Sequence, residues 1–173
     1  NPMVVLDDAD LDTAVNASLN GAYFSTGQRC TASSRLIVQA GIHDAFVEKF
    51  AAAVAALRVG DGLAGETDQG PLIDSAAVAK VAEHIADAKA KGGTVVEGGS
   101  PHELGGLFHQ PTVIAGVTTD MLVAKEETFG PLAPIFKFDT EEQAIAMAND
   151  TEFGLATYFY TRDLGRTWRM SEG

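Results

Sequence analysis

The one cysteine of this 173-residue chain lies in Ser25-Thr26-Gly27-Gln28-Arg29-Cys30-Thr31-Ala32-Ser33-Ser34-Arg35, a stretch of small and polar residues. A lone thiol packed as a small hydrophobe would sit among Val, Leu and Ile. Here Gly27 frees the backbone, Arg29 and Arg35 flank the sulfur in sequence, and hydroxyl residues replace an apolar lining. Cationic neighbours favour the thiolate, which is the nucleophilic form. Cys30 is therefore a candidate for covalent catalysis.

Other polar groups offer less. His43, His84, His102 and His109 have no metal-ligand spacing with one another or with Cys30, so they read as solvated and no metal is assigned. Asp7, Asp8, Asp10 and Asp12 lack the sixth-position glycine and closing glutamate of a calcium loop, and read as helix caps. Gly60-Asp61-Gly62-Leu63-Ala64-Gly65 fits G-x-G-x-x-G, but that fingerprint needs a strand before it and a helix after it. A helical pattern precedes it and loop chemistry, Glu66 to Pro71, follows, so it reads as a helix C-cap and flexible connection. Lys80 reads as a solvated lysine on the helix beyond.

The elements that must position Cys30 follow from periodicity. Met3 to Leu6 is a buried strand. A helix from near Leu11 carries Leu11, Ala14, Val15, Leu19, Ala22 and Tyr23 at helical spacing, with Ser18 interrupting the stripe, and delivers the cysteine loop. Arg35 to Val38 is a strand, and Ile42, Phe46, Phe50, Ala53 and Leu57 mark the next helix. The pattern continues with a helix from Ile73 to Lys91 and strands at Thr94 to Val96, Pro111 to Ile114 and Pro134 to Phe138. A helix from Glu141 to Asn149, a strand from Leu155 to Tyr160 and a last helix capped by Asp163 complete it. This alternation predicts one α/β domain over 1–173, layered α/β/α, with a mainly parallel sheet.

Two segments in order carry a resemblance. Gly27-Gln28-Arg29-Cys30 after an amphipathic helix resembles the active-cysteine segment of the NAD(P)-dependent aldehyde dehydrogenase superfamily. Lys125-Glu126-Glu127-Thr128-Phe129-Gly130-Pro131 resembles its nicotinamide-ribose motif. The similarity runs along essentially the whole chain. It implies that Cys30 attacks an aldehyde carbon, with its own amide helping to hold the oxyanion, and that a thiohemiacetal and then a thioester form on its sulfur. It also implies that Glu127 accepts hydrogen bonds from the nicotinamide ribose of NAD or NADP, and that Phe129 packs beside the nicotinamide ring. Phe24, Arg29 and Thr31 are expected around the sulfur as substrate-binding residues, with Arg29 favouring aldehydes that bear a carboxylate.

Gln69 to Asp74, Met121 to Pro134 and Ala148 to Leu155 look most like the succinate-semialdehyde branch of that family. Phe24 stands where that branch often has an arginine, and Gly-Gln-Arg-Cys also resembles α-ketoglutaric-semialdehyde dehydrogenases. In the family a general-base glutamate closely precedes a pair such as Asn1-Pro2. The resemblance therefore implies a catalytic-domain piece, without cofactor domain or oligomerising strand, inactive alone and homo-oligomeric at full length. A catalytically silent interaction module with a reactive thiol is the other reading.

Composition bounds the rest. With 46% hydrophobic and 21% charged residues the chain is ordinary for a folded domain. Its 24 acidic and 12 basic residues give a net charge of −12, which repels phosphate backbones and anionic bilayers, so neither nucleic acid nor membrane is an expected partner. A single cysteine forms no internal disulfide, in keeping with a reducing cytoplasm.

Overall fold

Short apolar runs become the six strands of one sheet in a computed structural model that describes residues 1–173: β1 (Pro2–Val5), β2 (Arg35–Gln39), β3 (Thr94–Glu97), β4 (Thr112–Ala115), β5 (Leu132–Phe138) and β6 (Tyr158–Tyr160). Their order is β3-β4-β5-β2-β1-β6, and every neighbouring pair is parallel except β3 with β4. The helices are α1 (Leu11–Tyr23), α2 (Ala40–Ala55), α3 (Ser75–Ala90), α4 (Leu122–Lys125), α5 (Glu141–Asn149) and α6 (Leu164–Glu172). A parallel sheet covered on both faces demands strands without polar alternation. Met3, Val5, Leu36, Val38 and Ile135 pack on one face with Ala14 and Tyr23 of α1 and Phe46 and Phe50 of α2. Val4, Ile37, Ile114 and Phe136 pack on the other with Val81 and Ile85 of α3 and Ala144 of α5. This is the expected α/β/α layering.

Local chemistry sets the helix starts. Asp10, Asp74 and Asp163 each accept a hydrogen bond from a backbone amide three residues on, at 2.8–2.9 Å, while Thr140 and Gln143 form a reciprocal capping box on α5. Ser18, the break in the apolar stripe of α1, is fully buried and donates to Met3 Sδ at 3.1 Å. The buried Tyr23 hydroxyl donates to Thr112 O at 2.7 Å, tying α1 to β4.

Several expectations need correction. His84 and His109 are buried rather than solvated, at 1% exposure each. Helix α2 ends at Ala55 with Ala56 as its cap residue, so the Gly60 loop is a connection and not a cap. Arg58 pins that loop to Asp68 at 2.8 Å and to Glu66, and Leu63 at its tip is fully exposed. The last strand starts at Tyr158, not Leu155, which is exposed together with Phe153. Helix α6 buries none of its residues: Leu164 and Trp168 face outward. It is held by Arg166, which bonds Asp7, Asp8 and Glu141 at 2.6, 2.8 and 2.9 Å, by Arg169 on Glu141 at 2.6 Å, and by the half-buried Met170 against the core. No helix is long and apolar enough to cross a membrane.

Candidate active site

Strands β5, β2, β1 and β6 are consecutive in the sheet and parallel, so the segments that run into them emerge side by side at one edge. Those segments are Glu126 and Glu127 before β5, Cys30 and Ser34 before β2, Asn1 before β1, and Thr151 to Leu155 before β6. Together with Lys80 and Arg35 they line one groove of about 760 Å³. Lys80, read as a solvated lysine, thus faces the cysteine groove.

The loop that presents Cys30 is built on unusual backbone. Ser25, Thr26 and Gly27 all lie in the left-handed region, with φ of 54°, 60° and 68°. That is costly for non-glycine residues and persists only where the surroundings fix it. Thr26 Oγ1 donates to Gly70 O at 3.2 Å. Gln28 both donates to Pro71 O at 3.2 Å and accepts from the Ile73 amide at 2.9 Å. At Gly27 a Cβ would lie 2.3 Å from Gly130 O and 2.8 Å from Ala22 O, so only glycine allows this approach. That backbone contact brings the Cys30 loop against the Glu127 segment.

Beyond the turn, three successive carbonyls are held from outside. Asn1 Nδ2 donates to Cys30 O at 2.6 Å and to Ala32 O at 3.1 Å, and the Tyr158 hydroxyl donates to Thr31 O at 3.0 Å. Asn1 is itself fixed by the Ala156 amide, 2.9 Å from its Oδ1. The Cys30 amide meets no acceptor within the chain. An exposed sulfur beside a free amide on a fixed backbone is the arrangement that nucleophilic attack on a carbonyl needs.

Across the groove Glu127 is exposed and enters no ion pair. Phe129 holds a φ of 53° with 41% of its surface open. Glu127, Phe129 and Gly27 share a narrow crevice next to the groove. Between the two motif residues Thr128 is buried, its Oγ1 2.9 Å from His84 Nδ1. Burial, the largest effect, lowers the His84 pKa from its ordinary value.

The other candidates lie apart from Glu127. Phe24, Arg29 and Thr31 line a second groove of about 430 Å³ with Asn20, Tyr158 and Tyr160. Consecutive residues Cys30 and Thr31 thus open onto different grooves. Arg29 Nη2 donates to Asn20 O at 2.9 Å and Gly21 O at 3.3 Å, with its guanidinium 4.9 Å from the Phe24 ring centre. Arg35 is buried and donates to Met147 O at 2.7 Å and Ala148 O at 3.0 Å, and burial lowers its pKa. The two guanidiniums beside Cys30 in sequence therefore satisfy carbonyls near the ends of α1 and α5. Sequence reasoning missed Asn1, Tyr158, Thr128 and His84 as parts of the site. Only the ordered pair of motifs pointed toward Thr128. No group of three or more His, Cys, Asp and Glu side chains is gathered as metal ligands would be.

Comparison with known proteins adds a family. The model of the aldehyde dehydrogenase family matches residues 1–173. The chain is 57% identical to a glutarate-semialdehyde dehydrogenase of Pseudomonas aeruginosa over 171 residues, covering 99% of this chain and 35% of the relative. It is 56% identical to an NADP(+) succinate-semialdehyde dehydrogenase of Escherichia coli, covering 99% and 36%. The crystal structure of succinate-semialdehyde dehydrogenase from Burkholderia pseudomallei superposes with a TM-score of 0.97 at 53% identity, covering 99% of this chain and 36% of that one. The chain thus spans about a third of the length of these relatives.

Proposed function

The chain belongs to the aldehyde dehydrogenase family, and from that premise we propose that residues 1–173 are the cysteine-bearing catalytic portion of a longer NAD(P)-dependent enzyme that oxidises a small semialdehyde to its carboxylic acid. The observation that carries this reading is the groove shared by Cys30 and Glu127, whose two loops meet where the backbone of Gly27 packs against Gly130. Cys30 Sγ attacks the aldehyde carbon, forming a carbon–sulfur bond, while the Cys30 amide donates to the oxygen that gains charge. A bound nicotinamide cofactor supplies the hydride acceptor. The residues present suit it: Glu127 offers an unpaired carboxylate for ribose hydroxyls, and Phe129 an open aromatic face in the adjoining crevice. The thioester left on Cys30 is opened by water, regenerating the thiol, with a base contributed from outside this chain.

The two relatives' names both specify aldehydes that carry a carboxylate, which supports the same substrate class here. We place the carboxylate end in the second groove, beside Phe24, Arg29 and Thr31. With this reading go a homo-oligomeric full-length enzyme, a cofactor domain outside these residues, and a cytoplasmic setting for an unpaired cysteine. The test is NAD(P)H formation by the full-length enzyme from succinate and glutarate semialdehydes. Wild type is expected to turn over, and Cys30→Ser to lose at least about 10³-fold in kcat. Turnover by Cys30→Ser near the wild-type rate would remove the nucleophile.

A further inference from the structure

Thr128 stands between Glu127 and Phe129, and its side chain points away from the groove into the protein, where it meets His84 of α3. His84 is 1% exposed, and its Nε2 is buried without a hydrogen-bond partner, 3.7 Å from Glu126 Oε2. That distance is too long for a hydrogen bond but close enough for the carboxylate to favour a proton on Nε2. The neutral ring then leaves Nδ1 as an acceptor for the Thr128 hydroxyl. One turn of α3 thereby grips the middle of a three-residue segment whose last member is held at positive φ.

We infer that His84 is a positioning residue for the dinucleotide: by accepting the Thr128 hydroxyl it fixes the turn that presents Glu127 and Phe129. This rests on the proposed reading of Glu127 and Phe129 as the nicotinamide side of the site. The charged groups facing His84 are Lys80, Glu83 and Asp87 on α3 and Glu126 on the motif segment. Burial acts against the imidazolium more strongly than the neighbouring carboxylates support it, so the ring is neutral at pH 7. Protonation would turn Nδ1 from acceptor to donor and reverse the bond to Thr128. Dinucleotide affinity should therefore be level above pH 6.5 and fall as the pH drops through the lowered His84 pKa.

The experiment is fluorescence titration of the full-length enzyme with NADH and with NADPH across pH 5–8. At pH 7.5 His84→Ala and Thr128→Val should each weaken binding roughly tenfold, as expected when a buried partner is left unsatisfied, and the double variant should weaken it no further. His84→Asn, which offers an amide oxygen as acceptor, should recover most of the affinity and abolish the acid limb. A merely structural histidine would not produce that separation. If His84→Ala does not fold, Thr128→Val carries the same test. The inference is overturned if both variants stay within twofold of wild type while Glu127→Ala binds poorly, or if His84→Asn keeps the wild-type acid limb. If Glu127→Ala binds like wild type, the nicotinamide reading of the groove falls, and this inference with it.

Discussion

Two glycine-bearing loops in this chain invite chemical readings, and they are built in opposite ways. The Cys30 loop is enclosed: Gly27 sits at φ 68° with the Gly130 carbonyl where a side chain would begin, and Thr26 is buried beside it. The Gly60 loop is open. Nothing lies within 4 Å of a Cβ added at Gly62 or Gly65, and only its base is tied, by backbone bonds of Arg58 and Gly60 with Asp68 and Gln69 and by ion pairs from Arg58 to Asp68 and Glu66. The loop that matches a nucleotide fingerprint by letter has no strand before it and no helix directly after it, whereas the loop with a single glycine meets another motif. A glycine signals function when backbone from elsewhere needs the space, and spacing alone does not report that.

The comparison is broken most sharply at the glycines. Gly27→Ala should destabilise the protein by about 3–5 kcal/mol and abolish turnover, because the new methyl meets backbone on two sides at a left-handed φ. Gly62→Ala should stay within about 0.5 kcal/mol. Urea unfolding of the two variants side by side decides it, and equal losses would erase the contrast.

A smaller effect is expected from the outer frame of the cysteine. Tyr158→Phe removes the bond to Thr31 O and should cost about 1 kcal/mol with a several-fold lower kcat. Unchanged kcat with the expected loss of stability would mean that the carbonyl frame serves folding alone.

The smallest effect belongs to the open loop, and it depends on pH and salt. Hydrogen bonds from Arg58 lower the Asp68 pKa to about 2. The folded value lies below the unfolded one, so the pair stabilises above about pH 4, and that contribution is lost as the pH falls toward 2. Asp68→Asn should therefore be less stable than wild type at pH 7, and the gap should close in acid and narrow in 1 M salt. The Cys30 loop, whose guanidiniums at Arg29 and Arg35 bond carbonyls rather than carboxylates, should show neither response. A gap as large at pH 2 as at pH 7 would mean that Asp68 acts by packing rather than by charge.

Most of the sheet was legible in the sequence because its central strands are buried on both sides and carry unbroken apolar runs, as in Leu36 to Val38 and Leu132 to Phe136. The cysteine and the Glu127 segment stood out because their composition is local. What stayed hidden depends on partners far along the chain. Nothing near His84 tells that Thr128 closes over it, and nothing near Arg29 tells that its donors turn back to Asn20 and Gly21 instead of toward the sulfur. Leu155 looked like a strand residue by type, yet pairing with β1 begins only at Tyr158. Asn1 gave no sign of its role, since its hydrogen bonds reach across 29, 31 and 155 residues.

Those long reaches set an order of assembly. The carbonyl frame around Cys30 needs Tyr158, 127 residues later than Thr31. At a synthesis rate of about 5–20 residues per second the cysteine segment is made roughly 6–25 s before that partner exists. Closing so long a loop also places the contact late among those the chain forms once it is complete. During that interval the sulfur belongs to an unframed loop, and the carbonyls around it are fixed only when the last strand joins the sheet.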